Sequence, residues 1–285
     1  MSILQAITLG IVQGLTEFLP ISSTAHVRIV PALLGWPDPG SAFSAVIQCG
    51  TLLAVCMAMR QDISRLLQGS YTALMAGRPL ETAESRIVTM IAFGTLPIVA
   101  VGLTARQLIR GQARDLSVVI AALLLGTIVM MLAEVFSWWR VRHGLVGRSG
   151  FESVKFSDGL TMGLMQVMAL IPGTSRSGVT ISSGMFTGLD RPTAARLSFL
   201  LSLPAVAAAG FLEAWQQRAE IFGSSAAITT AVLGTLAAAL VGYLSIRWLL
   251  SMLASQTLWP FILYRLTLAS LLGWSLAAGW LSVVA

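Results

Sequence analysis

Long uncharged apolar runs alternate with short charged segments along the whole chain. Six runs lie near the length of about 20 residues that crosses a bilayer core as a helix, although the fourth is short. We place these expected spans at residues 39–59, 87–105, 116–133, 197–212, 221–246 and 266–285. The hydrophobic pattern therefore predicts six transmembrane helices.

Two further apolar stretches, residues 2–36 and 159–189, do not fit single crossings. Each is about 30 residues or more in length, which is long for one membrane helix and short for two. Each is also interrupted near its middle by Pro, Ser, Thr and Gly, residues typical of turns. They predict two re-entrant helical hairpins, so the expected fold is an all-α polytopic membrane protein.

Composition supports one integral membrane domain over residues 1–285. Hydrophobic residues make up 56% of the chain and charged residues 11%, whereas about a quarter of a soluble domain is charged. The net charge is +6, but the basic residues lie in short segments between apolar runs. This distribution is typical of loops that anchor a bilayer protein and argues against a nucleic acid partner.

The basic loops predict the orientation, because Lys and Arg collect on the cytoplasmic side. Two such loops, separated by two predicted spans, are expected to be cytoplasmic; they contain Arg60, Arg65, Arg78 and Arg86, and Arg140, Arg142, Arg148 and Lys155. The segment 107–115 then falls outside, although arginines flank or occupy it: Arg106, Arg110 and Arg114. The same alternation brings the first hairpin in from outside and the second from inside.

Each hairpin would precede three crossings, which divides the chain into repeat one, about residues 1–140, and repeat two, about residues 155–285. A short internal similarity agrees with this division: Gly10, Gln13 and Pro20 correspond to Gly163, Gln166 and Pro172. An inverted-topology repeat with broken helices is a common way to build a site at the bilayer midplane.

Polar groups gather around the break in the first hairpin. Gln13 and Glu17 are four residues apart and share a helix face, and Pro20 ends that helix. Capping hydroxyls and an imidazole follow it: Ser22, Ser23, Thr24 and His26. A carboxylate and an imidazole are costly to bury in an apolar stretch, which makes both functional candidates. The alternatives are a structural hydrogen bond or interfacial position for Glu17 and a structural role for His26.

The second hairpin carries Arg176, the only charge between Asp158 and Asp190. A guanidinium can hold phosphate oxygens through two parallel hydrogen bonds. Glycines and hydroxyls surround it: Gly173, Thr174, Ser175, Ser177, Gly178 and Thr180. This composition is typical of a phosphate cradle at a helix N-terminus, without the Gly-Lys-Ser/Thr ending of a Walker A loop. The alternative is an arginine that snorkels or binds backbone carbonyls.

Three polar residues lie in or beside the predicted spans. Gln48, near the centre of one span, is a candidate for binding substrate, with an interhelical hydrogen bond as the alternative. Tyr264 and Arg265 precede the last predicted span, and Arg265 is interpreted as an interfacial anchor.

The two motifs resemble those of the bacterial undecaprenyl-pyrophosphate phosphatases associated with bacitracin resistance. Residues 13–26 are similar to the family's Glu/Gln-x-x-x-Glu and Pro-x-Ser-Ser-Thr-x-His pattern, and residues 172–178 to Pro-Gly-x-Ser-Arg-Ser-Gly. Similar stretches recur at residues 46–50, 199–204 and 260–265. Two positions depart from the family: Ala25 stands where Gly is usual, and Gln13 where many members carry Glu.

The resemblance implies hydrolysis of the terminal phosphate of a C55 isoprenyl pyrophosphate, which recycles the lipid carrier of cell-wall synthesis. It also implies a Mg²⁺ or Ca²⁺ ion, for which Glu17 is the expected ligand, and a multi-pass protein of the bacterial inner (plasma) membrane whose site opens to the periplasm. A homodimer is a further expectation.

The residues leave two versions of the chemistry open. In one, His26 is a general base for Ser23 or for water. In the other, His26 takes the phosphoryl group. The first is preferred because a hydroxyl lies close to the imidazole in sequence. The alternative function is a transporter or flippase of an anionic polyprenyl lipid, which would release no phosphate in detergent.

Overall fold

A computed structural model describes residues 1–105 and 115–279. Regular structure in these ranges is helical, and one isolated bridge joins Arg148 to Leu189. The α-helices are numbered here in chain order: α1 (Ile3–Phe18), α2 (Ser23–Leu33), α3 (Gly40–Ala58), α4 (Arg60–Met75), α5 (Ala83–Thr104), α6 (Leu116–Arg142), α7 (Phe156–Gln166), α8 (Arg176–Phe186), α9 (Arg191–Gln216), α10 (Arg218–Ile221), α11 (Ser225–Leu253) and α12 (Trp259–Ala277). Short 3₁₀ helices cover Phe151–Ser153 and Val167–Leu170.

Six helices in the described ranges are long and apolar enough to cross a bilayer: α3, α5, α6, α9, α11 and α12. The six predicted spans are thereby confirmed. Two boundaries differ most: α6 continues to Arg142 and not to residue 133, and α12 begins at Trp259 and not at residue 266. The prediction ended each span at a charge, whereas Glu134 and Arg265 are buried inside these helices. Residues 280–285 of that span, and the arginines at 106, 110 and 114, lie outside the described ranges.

Each interrupted apolar stretch forms two short helices joined by an irregular turn, α1 with α2 and α7 with α8. The turns are residues 19–22 (turn one) and 171–175 (turn two). The second helix of each pair has 11 residues, about 16 Å at 1.5 Å per residue, against a bilayer core of about 30 Å. These helices therefore end well short of a full crossing.

In both turns, the residue immediately before the second helix has an unusual backbone conformation. Ser22 has φ of 76° and Ser175 has φ of 72°, and they are the non-glycine residues of the described ranges with positive φ. This region is unfavourable for residues with a Cβ and is often found at functional sites. The strain at both serines turns the chain sharply enough to start a new helix inside the protein.

Glycines let the hairpins pack tightly against two of the long helices. A Cβ at Gly10 of α1 would collide with the carbonyl oxygen of Gly234 in α11, and a Cβ at Gly163 of α7 would collide with that of Gly94 in α5. Close backbone approach through small residues is a common means of helix association in membranes. It anchors the first helix of each hairpin and so places its turn.

Ion pairs connect the two basic loops, which contain Arg65 and Arg148, at one end of the molecule. Arg65 of α4 pairs with Glu84, at 2.8 Å, and with Glu152. Arg148 holds Asp158 through two hydrogen bonds of 2.8 Å. The two loops predicted to be cytoplasmic therefore lie on the same side of the helix bundle.

The Arg148–Asp158 pair is expected to be a main source of stability at this end. Asp158 is almost fully buried, so Asp158→Ala would leave Arg148 without its counter-charge, at a cost of about 3–5 kcal/mol. We expect a clearly lower thermal unfolding temperature in detergent. Glu81→Ala is the matched control, because its pair with Arg78 is exposed and such pairs contribute little. Equal effects of the two variants would contradict this prediction.

Candidate active site

The turns of the two hairpins meet directly in the interior. Arg176 Nη2 donates to Glu17 Oε1 at 2.7 Å, an ion pair that joins α8 to α1. The Ser177 hydroxyl donates to the Leu19 carbonyl at 3.2 Å, and the Gly173 N–H to Thr24 Oγ1 at 3.3 Å. Glu17 and Arg176, which are 159 positions apart in the chain, thus belong to one polar site.

Glu17 is the centre of this site and is only 9% exposed. Its Oε2 accepts hydrogen bonds from Gln13 Nε2 at 2.9 Å and from the Ser23 hydroxyl at 2.6 Å. Together with Arg176, these donors compensate a carboxylate that would otherwise be costly to bury. The Ser23 proton points at Glu17, so this carboxylate is the base in contact with the hydroxyl.

His26 lies on α2, three residues after Ser23, and both of its ring nitrogens are engaged. Nδ1 lies 2.7 Å from the carbonyl oxygen of Ser22, which can only accept, so Nδ1 carries a proton. Nε2 lies 2.6 Å from the Tyr264 hydroxyl, and the two rings stack with centroids 5.6 Å apart. The pairing of Ser23 with His26 preferred from sequence spacing is therefore not the arrangement in the structure, because other groups occupy both nitrogens.

The second turn is built around Ser175. Its hydroxyl accepts from the Gly178 N–H at 3.2 Å and lies 3.4 Å from Ser177 Oγ. Thr180 points back into the helix, since its hydroxyl donates to the Arg176 carbonyl at 2.7 Å and lies 2.6 Å from Ser198 Oγ. Thr174 is buried.

Two helix N-termini converge where the turns meet. α2 begins at Ser23 and α8 at Arg176, and the first amides of a helix have no intrahelical acceptor. The helix dipole adds partial positive charge at the same end. With the Arg176 guanidinium, the junction is suited to an anion with several oxygens, such as a diphosphate.

Of the other residues predicted to bind substrate, Ser22 and Thr24 lie at the site, whereas Gln48 lies on α3. Ser22 Oγ and Thr24 Oγ1 are 3.2 Å apart, with Ser22 buried and Thr24 exposed at the edge of the site. Gln48 is half-buried on α3, and in the described ranges no hydrogen bond joins its side chain to either turn.

Arg265 was expected to be an interfacial anchor, and this expectation is wrong. It is fully buried, at 0% exposure, and its Nη2 donates to the carbonyl oxygens of Gly173, at 3.2 Å, and Thr174, at 3.1 Å. Its neighbour Tyr264 contacts His26. Neither residue was predicted to belong to the site, because the prediction ended each span at a charge and so placed both residues before the last helix. The recurring stretch 260–265 was the signal that pointed to them.

The donor set of the site includes a single carboxylate. In the described ranges no group of three or more His, Cys, Asp or Glu side chains comes together as a metal cluster. An ionised carboxylate has about four lone-pair positions, and three donors contact Glu17. One carboxylate position plus substrate phosphate oxygens is a usual ligand set for Mg²⁺, so the residues fit an ion that arrives with the substrate.

Comparison with known proteins identifies the family of this chain. Residues 6–271 match the family described as Bacitracin resistance protein BacA. A relative from Chlorobaculum tepidum, named undecaprenyl-diphosphatase, is 51% identical over 94% of this chain and 95% of its own. Proteins of the same name from Chlorobium limicola and Chlorobium phaeovibrioides are 46% and 48% identical over 98% or more of each chain. This chain belongs to the bacitracin resistance protein BacA family.

Proposed function

We propose that this protein is an integral membrane phosphatase that hydrolyses undecaprenyl diphosphate to undecaprenyl phosphate and inorganic phosphate. The relatives carry the name of this activity. The observation that carries the proposal is the meeting of Arg176 and Ser23 on the same Glu17 carboxylate. A guanidinium for phosphate, a hydroxyl nucleophile and a base are thereby within contact of one another.

The substrate is expected to divide between lipid and protein. Its isoprenyl chain can lie along the apolar helices, so only the diphosphate needs a polar pocket. A guanidinium has five N–H donors, and contact with Glu17 leaves donors of Arg176 for phosphate oxygens. The amides that begin α2 and α8, with the surrounding hydroxyls, are placed to bind the rest of the headgroup.

In the version that this geometry favours, Ser23 is the nucleophile. Its proton passes to Glu17, and its oxygen bonds to the terminal phosphorus. The bond from that phosphorus to the bridging oxygen breaks, and its electron pair leaves with undecaprenyl phosphate. Water then attacks the phosphorus of the phosphoserine, and the bond from phosphorus to the serine oxygen breaks. That oxygen takes the proton back from Glu17, and the protons of the water leave with inorganic phosphate or pass to solvent. Arg176 compensates the charge on the transferred group throughout.

The second version assigns the phosphoryl group to His26. It requires Nε2 to leave the Tyr264 hydroxyl, 2.6 Å away, before it can attack. In the favoured version His26 keeps this contact and supports the turn that carries Ser23.

A divalent cation is the proposed cofactor, held by Glu17 and the diphosphate oxygens. When bound, Mg²⁺ or Ca²⁺ would reduce the negative charge of the diphosphate. We expect removal of divalent cations with EDTA to lower phosphate release strongly and added Mg²⁺ to restore it. Full activity after exhaustive chelation would show that Arg176 and the helix N-termini suffice.

The inverted repeat is proposed as the origin of the site. Reciprocal packing supports it: α1 packs on α11 through Gly10 and Gly234, while α7 packs on α5 through Gly163 and Gly94. Ser22 follows Gly10 by twelve residues and Ser175 follows Gly163 by twelve, and both have positive φ. Two re-entrant hairpins related in this way would enter from opposite faces and meet at the midplane.

The basic end gives the proposed orientation. With the loops of Arg65 and Arg148 in the cytoplasm, the first hairpin enters from outside and the site opens past the exposed Thr24 toward the periplasm. We propose the bacterial inner membrane as the location, because that membrane separates the cytoplasm from the periplasm.

Phosphate release from undecaprenyl diphosphate by the purified protein in detergent tests the proposed function. A phosphatase releases inorganic phosphate with repeated turnover. A transporter or flippase using the same site would release none, and that result would overturn the proposal.

A further inference from the structure

Two adjacent residues of α12 each contact a different hairpin of the site. Tyr264 reaches His26, one turn into α2. Arg265 reaches the carbonyls of Gly173 and Thr174, in turn two. Consecutive residues on a helix point about 100° apart, so one element can hold two neighbouring partners at a set distance.

Arg265 is bound to its surroundings through several acceptors. Its Nε donates to the Thr127 hydroxyl at 2.8 Å, and its Nη2 to the Leu123 carbonyl at 2.7 Å as well as to the two carbonyls of turn two. Within the described ranges, no carboxylate lies in ion-pair distance of it, and its Nη1 has no partner. A fully buried guanidinium without a counter-ion is costly, which indicates a role beyond packing.

A glycine on α6, the helix that faces Arg265, makes room for the contact between Arg265 and turn two. A Cβ at Gly126 of α6 would collide with the Thr174 carbonyl oxygen and lie 2.7 Å from Arg265 Nη2. Glycine at this position lets turn two and the guanidinium both approach α6. Any side chain there would push turn two away from its hydrogen-bond donor.

Tyr264 holds the first hairpin through a ring stack and a hydrogen bond, both with His26. Its ring stacks on the His26 ring at an interplanar angle of 16°, and its hydroxyl is hydrogen-bonded to Nε2. Because Nδ1 is bound to the Ser22 carbonyl, the contact with Tyr264 completes the orientation of the imidazole. It also ties α12 to the helix that begins at Ser23.

We propose that Tyr264 and Arg265 are positioning residues that set the spacing of the two hairpins, so that the Ser23 hydroxyl of the first and the Arg176 guanidinium of the second meet on one diphosphate. This inference rests on the proposed phosphatase function. Neither residue contacts the reacting phosphorus in this arrangement. They act through His26 and through the Gly173–Thr174 backbone.

Single variants test the two contacts by steady-state kinetics. Arg265→Lys keeps the charge but loses the planar set of donors. A misplacement of about 1 Å can cost about 100-fold in rate, so we expect kcat to fall by about that factor with a much smaller change in KM. Tyr264→Phe keeps the ring and removes only the hydroxyl, and we expect kcat to fall about tenfold or more on the same argument. Unchanged kcat in both folded variants would overturn the proposal.

Matched controls separate positioning from folding. Tyr243→Phe and Arg247→Lys alter a hydrogen bond on α11 between the half-buried Tyr243 and the exposed Arg247 and should leave kcat unchanged. Gly126→Ala should reproduce the kcat loss of Arg265→Lys without touching the arginine, while Gly273→Ala, in open space on α12, should not. If Arg265→Lys fails to fold, Thr127→Val removes the Nε acceptor and replaces it in the test. Retained kcat in folded Thr127→Val and Gly126→Ala variants would equally contradict the role of Arg265.

A double-mutant cycle tests whether Tyr264 acts through His26. In the His26→Ala background, Tyr264→Phe should lower kcat no further, since the group that it orients is gone. Independent, multiplicative losses would overturn this part of the inference. The wild-type assay separates this inference from the proposed function: no phosphate release by the wild type refutes the function, whereas an active wild type with insensitive variants refutes only the positioning role.

Discussion

Arg176→Ala is expected to lower kcat/KM for phosphate release by about 10³-fold or more, the largest effect of any single arginine in the protein. Arginines that compensate charge in phosphoryl transfer contribute about 10³- to 10⁵-fold, and 10³-fold corresponds to about 4 kcal/mol of transition-state stabilisation. The variant also loses the ion pair that joins the two hairpin turns. Both kcat and KM should therefore change, measured as phosphate released from undecaprenyl diphosphate in detergent.

Two further variants define what Arg176 contributes. Arg176→Lys keeps the positive charge without the planar fork and should recover only part of the activity. Arg196→Ala is the matched control, because its side chain is 51% exposed and its ion-pair partner is Asp62, at 3.9 Å, and not a residue of either hairpin. A purified Arg176→Ala protein with near-normal turnover would refute the phosphate-binding role.

Ser23→Ala is expected to reduce kcat to near the detection limit, about 10⁴-fold or more by comparison with other serine nucleophiles. The reason is geometric: its hydroxyl is the one that donates to Glu17, at 2.6 Å. Quenching the wild type during turnover of substrate labelled at the terminal phosphate should leave the label on Ser23, stable to the acid that hydrolyses phosphohistidine.

The control for Ser23 is Ser44→Ala, whose hydroxyl donates to the Gly40 carbonyl within α3 and which should remain fully active. A partial loss in Ser23→Ala, with label on His26, would favour the histidine version of the chemistry. Label on neither residue would indicate direct attack by water with Glu17 or His26 as base.

Much of the fold was predictable because membrane burial leaves a strong local signature. Each span must present about 20 apolar residues to lipid, so six spans were visible as uncharged runs, and all six correspond to long apolar helices. Interruption by Pro and Ser marked both broken stretches. The boundary of α12 was not predictable by this rule, since Arg265 is held inside the helix bundle by acceptors from α6 and turn two.

The candidate groups of the site were also visible in the sequence. Ionisable groups in an apolar stretch are rare enough to single out Glu17, His26 and Arg176, and the hydroxyls after the helix break added Ser23. Their partners were not visible. Ser23 and His26 are three residues apart, yet the hydroxyl donates to Glu17 and the imidazole binds Tyr264, 238 positions away.

The sequence by itself thus determined the membrane spans, the two broken segments and the chemical groups that they carry, because hydrophobicity, helix breaks and residue chemistry are local properties. Only the tertiary structure decided that the two turns meet, that Glu17 rather than His26 contacts Ser23, and that α12 contacts both hairpins. Those outcomes depend on how distant helices pack, through glycines in contact and buried hydrogen bonds between residues far apart in the chain, and no local pattern specifies such pairings.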